Sequence, residues 1–174
     1  MALREILTYP FPILKKAAEP VKEFGEELEQ LVADMAETMY DAPGVGLAAP
    51  QIGIPLQLCV IDIMPKDQER ELIVLANPKI IEGEGKEIDE EGCLSVLDYS
   101  ANVPRFTKIK VEAQDIKGNP LNFEAEGFFA RVIQHELDHL DGTLFIDRIS
   151  SLKRTLYKKK VKKMLRAEKE EGEK

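Results

Sequence analysis

In "FGEELEQLVADMAETMY", residues 24–40, Phe24, Leu28, Leu31, Val32, Met35 and Met39 recur at helical spacing, with glutamates filling the opposite face. The spacing predicts an amphipathic helix that stops before "DAPG", where Pro43 and Gly44 cannot continue it. The pattern then changes. "LQLCVIDI" and "ELIVLANP" are short runs rich in branched residues, which predict strands. "TKIKVEAQDI" places Ile109, Val111 and Ala113 on one face, and "LNFEAEG" repeats the alternation with Leu121, Phe123 and Ala125. The intervening "KGNP" is a turn, so the pair predicts a hairpin. From Phe128 to Leu140 the helical period returns, and Gly142 marks its end. Strands in the middle with helices toward both ends predict an α+β fold rather than a repeating βαβ sheet.

Charge divides the chain where hydropathy does not. Residues 151–174 carry ten Lys/Arg and four Glu, a net of +6, while the preceding 150 residues carry a net of −14. The basic segment places Tyr157, Val161, Met164 and Leu165 on one stripe, which predicts a helix with lysines over most of its remaining surface. The expected division is a body over 1–150 and a basic helical tail over 151–174. An acidic body argues against DNA as a partner, and only the segregated tail could attract RNA phosphates. The length suits one domain with a sizeable core. No run approaches the roughly 18 apolar residues of a membrane span, and the start lacks the apolar segment of a secretory signal. A cytoplasmic protein with no membrane partner is therefore expected. Two cysteines, Cys59 and Cys93, are too few for a disulfide scaffold and fit a reducing compartment.

The two histidines of the chain both lie in "QHELDHLDG", four residues apart, with a glutamate directly after the first. Chance places this pattern in about one such chain in seven hundred. On a helix His135 and His139 point the same way and can share one metal ion, with Glu136 beside them to act on water. A third ligand is needed. Phe145 stands where one HExxH group has its third histidine, and the later glutamates, from Glu168 onward, lie in the charged tail. Cys93, in "EGCLS", is the better donor, because a metal would hold its thiolate despite the acidic run beside it. Cys59, inside an apolar strand, reads as a small buried side chain. Three protein ligands leave an open position, which is the arrangement of a catalytic site.

Taken in order, "GVGLAAPQ", "EGCLS" and "QHELDH" resemble the three motifs of the peptide deformylases, and the resemblance runs over roughly residues 5–150. It implies mainly antiparallel sheets around a central helix bearing the histidines. It further implies a hydrolase that removes the formyl group from the N-terminal formylmethionine of new polypeptides, releasing formate. Cys93, His135 and His139 would hold the metal: Fe(II) in the cell, with Zn(II), Ni(II) or Co(II) also suited to this donor set. Glu136 would be the general acid/base acting with the metal-activated water. The Gln51 side-chain amide and the Leu94 backbone N–H would stabilise the developing oxyanion. Phe128 and Val132, sharing the His135 face, would line a methionine pocket with Val45 and Gly46. Arg131, charged and assigned to another face, is left out. Glu91 and Asp138 are open between orienting roles and solvent. Leu97 stands where many members have proline, which bears on a substrate loop over Val96 to Asn102. The tail would engage the ribosome. Two rivals remain: another HExxH amide hydrolase such as a peptidase, and a non-catalytic RNA-binding protein with a structural metal.

Overall fold

The computed structural model describes residues 2–172. Its first long helix, α1 (Glu26–Asp41), buries Leu28, Val32, Met35 and Met39, the apolar stripe of the sequence. Three glutamates in its first turn suit the positive end of the helix dipole. The strands are β1 (Gly46–Ala48), β2 (Leu58–Ile61), β3 (Ile73–Glu84), β4 (Glu87–Cys93), β5 (Val96–Arg105), β6 (Lys108–Gln114) and β7 (Pro120–Glu126). Two further helices follow, α2 (Gly127–Leu140) and α3 (Ser151–Gly172).

β1, β2, β3, β6 and β7 form one sheet in that order, every pairing antiparallel. The β6–β7 hairpin pairs Val111 with Phe123, and Ile109, Val111, Ala113 and Ala125 turn inward. β2 is buried at all four positions, as its unbroken apolar run requires. α2 crosses this sheet and buries Ala130, Val132, Ile133 and Leu140 in the same core as Cys59, Ile61 and Leu75. Its end is fixed from outside. The Gly142 N–H bonds the His139 carbonyl, and a Cβ on Gly142 would lie 2.7 Å from the Lys15 backbone, where φ is +74°. The fold is thus α+β, with the histidine-bearing helix at its centre.

A second sheet holds β4 and β5 alone. The span from Val96 to Asn102, expected as a loop, is the first part of β5, paired with β4 from Gly92↔Ser100 to Glu87↔Arg105. Below this hairpin a separate apolar cluster gathers Val96, Val103, Phe145 and Ile146 with Tyr157 and Val161 of α3. The stripe on α3 therefore docks by its first half. The Tyr157 hydroxyl donates to the Leu97 carbonyl, Met164 is half-buried and Leu165 is exposed. Lys158, Lys159, Lys162 and Lys163 face solvent, and residues 173 and 174 of the tail lie outside the described residues.

Candidate metal centre and active site

Two elements bring the candidate ligands together. α2 carries His135 and His139 one turn apart, and β4 delivers Cys93 at its last position. Their ligand atoms all lie within 4.8 Å of one another, and the Cys93 Sγ is 3.4 Å from the His139 Nε2. Two imidazoles and one thiolate suit a single divalent transition metal. Burial, then the fields of His135 and Arg105, push His139 well below the ordinary histidine range, which favours the neutral, ligating form. Burial acts to lower His135 too. Contact with Cys93 and Glu91, together with the charges of Cys93 and Glu136, outweighs it and raises the group well above its usual value. Cys59 is enclosed in β2, where burial and the Glu136 charge push its thiol up, so it stays an inert core side chain.

Glu136 is buried beside the ligand set, with its Oε1 4.0 Å from the His135 Nε2 and its Oε2 without a hydrogen-bond partner. Burial raises its carboxyl to about 7, a value suited to giving and taking protons near neutrality. Within "GVGLAAPQ" the backbone at Gly46 comes close to this carboxylate. A Cβ on Gly46 would lie 2.9 Å from the Glu136 Cδ.

Gln51 sits in the 3-10 turn after β1 and is almost fully buried. Its Oε1 accepts from the Ala48 N–H at 2.9 Å, which turns its NH2 toward Ser95 Oγ at 3.0 Å and Cys93 Sγ at 3.8 Å. Leu94 occupies the turn between β4 and β5 and reaches Gly44, where an added Cβ would meet its side chain at 2.8 Å. Val45, Gly46, Leu94, Phe128 and Val132 line a cavity of about 430 Å³ that also opens onto Gln51, Cys93, His135 and Glu136. Val132 is buried, whereas Val45 and Phe128 are exposed at its rim. A larger cavity of about 670 Å³ lies against Gln134, Leu137 and Asp141, on the other side of α2. It touches none of the three ligands, so the smaller cavity is the site.

Arg131 corrects the sequence reading. It lies four residues before His135 on the same face of α2, lines the cavity and is buried. The sequence carried a signal for it, the i, i+4 spacing, but its charge argued for solvent. Glu91 and Asp138 are resolved likewise. Glu91 Oε1 meets His135 Nδ1 at 2.9 Å, and Arg105 spans the two carboxylates, bonding Glu91 through Nε and Nη2 and Asp138 through Nη1. The desolvation of Glu91 is outweighed by its bonds to His135 and Arg105, which lower its carboxyl to about 2.

Comparison with known proteins gives one answer. A sequence model described as polypeptide deformylase matches residues 3–155. The peptide deformylase of Desulfotalea psychrophila is 56% identical over 164 residues, 94% of this chain and 97% of that protein. The crystal structure of a peptide deformylase from Legionella pneumophila superposes with a TM-score of 0.88 at 47% identity, covering 96% of this chain and 98% of the other. A peptide deformylase from Ehrlichia chaffeensis, solved in complex with actinonin, gives the same TM-score at 36% identity over 94% of this chain and 98% of that one. A match across nearly the whole length, in sequence and in fold, and a Cys–His–His cluster where the sequence expected one, lead to a single conclusion: the chain belongs to the polypeptide deformylase family of metal-dependent hydrolases.

Proposed function

We propose that this chain removes the N-formyl group from the formylmethionine that begins new polypeptides, releasing formate. The observation that carries the reading is the meeting of Cys93, His135 and His139 beside a buried Glu136 at the floor of an open cavity. The donor set fits one divalent ion, and when bound it supplies Lewis acidity to the carbonyl and acidity to water. Glu136 takes a proton from the attacking water, whose oxygen bonds the formyl carbon. Glu136 then returns the proton to the nitrogen as the carbon–nitrogen bond breaks and the nitrogen keeps the electron pair. In this reading the Gln51 amide, held by Ala48, and the Leu94 backbone N–H stabilise charge on the former carbonyl oxygen. Fe(II) is the expected ion in the cell, with Zn(II), Ni(II) and Co(II) as alternatives.

Val45, Gly46, Phe128 and Val132 form the methionine pocket in this reading. The test is formate release from formyl-Met-Ala-Ser and from two analogues. Formyl-norleucine at the first position should be turned over comparably, because its side chain matches methionine in length. Formyl-aspartate should be rejected, because its carboxylate would be buried without a partner. Equal kcat/KM for these two would contradict an apolar pocket, and no formate from any of them would contradict the activity.

The exposed lysines of α3 are the proposed ribosome contact, which would keep the enzyme near emerging chains in the cytoplasm. Removing α3 would also strip Tyr157 and Val161 from the core below β5. Reversing Lys158, Lys159, Lys162 and Lys163 to Glu tests the charge alone. Turnover of a short formyl peptide should be retained, while salt-sensitive cosedimentation with ribosomes should be lost. Unchanged cosedimentation would remove α3 from the role. No helix among the described residues is long and apolar enough to cross a membrane.

A further inference from the structure

The ligand set is split between elements that meet mainly through side chains. α2 packs on β1, β2, β6 and β7. Its link to the β4–β5 hairpin, which carries Cys93, is a buried cluster centred on Glu91. Glu91 Oε2 accepts from Arg105 Nε at 2.9 Å and Arg131 Nη1 at 3.0 Å, while Oε1 accepts from Arg105 Nη2 at 3.0 Å and meets His135 Nδ1.

The two arginines differ in what else holds them. Arg105 shares its guanidinium with Asp138, and Asp138 is shared in turn with the half-exposed Arg148. That chain of bonds leads to the surface. Arg131 also donates to the backbone carbonyls of Val103 on β5 and Glu87 on β4, both at 2.8 Å. It is anchored to both strands of the hairpin and is rooted on α2 one turn before His135.

We propose that Arg131 is a positioning residue for metal binding: it fixes Glu91 against the hairpin backbone, and Glu91 thereby sets the ring of His135 toward Cys93. A ligating histidine is oriented by the partner of its other ring nitrogen, and loss of such partners weakens metal affinity by about 10- to 100-fold. Arg131 hydrogen-bonds none of the three ligands and not Glu136, whereas Glu91 bonds both Arg131 and His135 and so links them.

This inference rests on the Cys93, His135 and His139 ligand set, and a double-mutant cycle separates the two. Zn(II) dissociation constants are measured by chelator competition for the full chain, Arg131→Met, Glu91→Gln, the double variant and Cys93→Ala. Arg131→Met and Glu91→Gln should each weaken zinc by about 10- to 100-fold, and the double variant should be no weaker than Glu91→Gln alone. Should Arg131→Met fail to fold, Arg131→Lys enters the same cycle. A single ammonium cannot reproduce the forked contacts, so it too should weaken zinc, and this effect should also vanish without the Glu91 carboxylate. Additive losses, or wild-type affinity in an Arg131 variant, overturn the inference while Cys93→Ala still loses zinc. Zinc retained by Cys93→Ala overturns the ligand set itself.

Discussion

Cys93→Ala is expected to lose both stoichiometric metal and all measurable formate release, whereas Cys59→Ala keeps both. The two sulfurs occupy opposite environments. Cys93 lies beside the turn of the β4–β5 hairpin with its Sγ against the His139 Nε2, and Cys59 is sealed in β2. Among the described residues no other group of three His, Cys, Asp or Glu side chains draws its ligand atoms together in this way. Without the thiolate only two imidazoles from one helical turn remain, too few for a three-ligand site. Metal analysis of anaerobically purified protein, paired with the formate assay, measures both arms. Full metal and full turnover in Cys93→Ala would falsify the site.

Glu136→Ala should behave differently, keeping its metal while kcat falls by about 10²- to 10⁴-fold, the usual contribution of a positioned acid/base group. Glu136 stands beside the ligands without being one of them, and its carboxyl is raised to about 7 by burial. Gly46 leaves room for the same carboxylate, because a Cβ there would lie 2.9 Å from the Glu136 Cδ. Removing the side chain therefore vacates the proton-transfer position and leaves the Cys–His–His cluster intact. Near-normal turnover in a metal-loaded variant would remove Glu136 from the mechanism.

What the sequence made legible follows from how each element is buried. α1, β2, the β6–β7 hairpin and α2 announce themselves because each has a continuous apolar face against the main sheet, and period alone reports such a face. β4 has no such face. In "EIDEEGC" the first four residues are exposed and Glu91 is the one buried position, so a strand half lined by acids reads as a charged loop. β5 turns Tyr99, Ala101, Val103 and Arg105 inward between exposed neighbours, but a face made of a tyrosine, an alanine, a valine and an arginine is too weakly apolar for the alternation to stand out. The ligands and Glu136 were legible because their spacing is a local property of one helix and one short motif. Arg131 was not, because a buried arginine is intelligible only with its partners, and Glu87, Glu91 and Val103 lie 28 to 44 residues away.

The buried cluster around Glu91 also bears on how this chain can change over generations. Arg105, Arg131, Glu91 and Asp138 are all buried and satisfy one another. Removing one member of such a set strands a charge and costs about 3–5 kcal/mol. That is a large part of the roughly 5–15 kcal/mol by which a protein holds its fold. Arg131→Met strands part of Glu91 and takes the donor from the Val103 and Glu87 carbonyls, while Glu91→Gln strands part of both Arg131 and Arg105. A lineage that changes either residue alone therefore loses stability, and a change at Glu91 also removes the carboxylate that holds His135. Arg131 and Glu91 are thus expected to be inherited as one character.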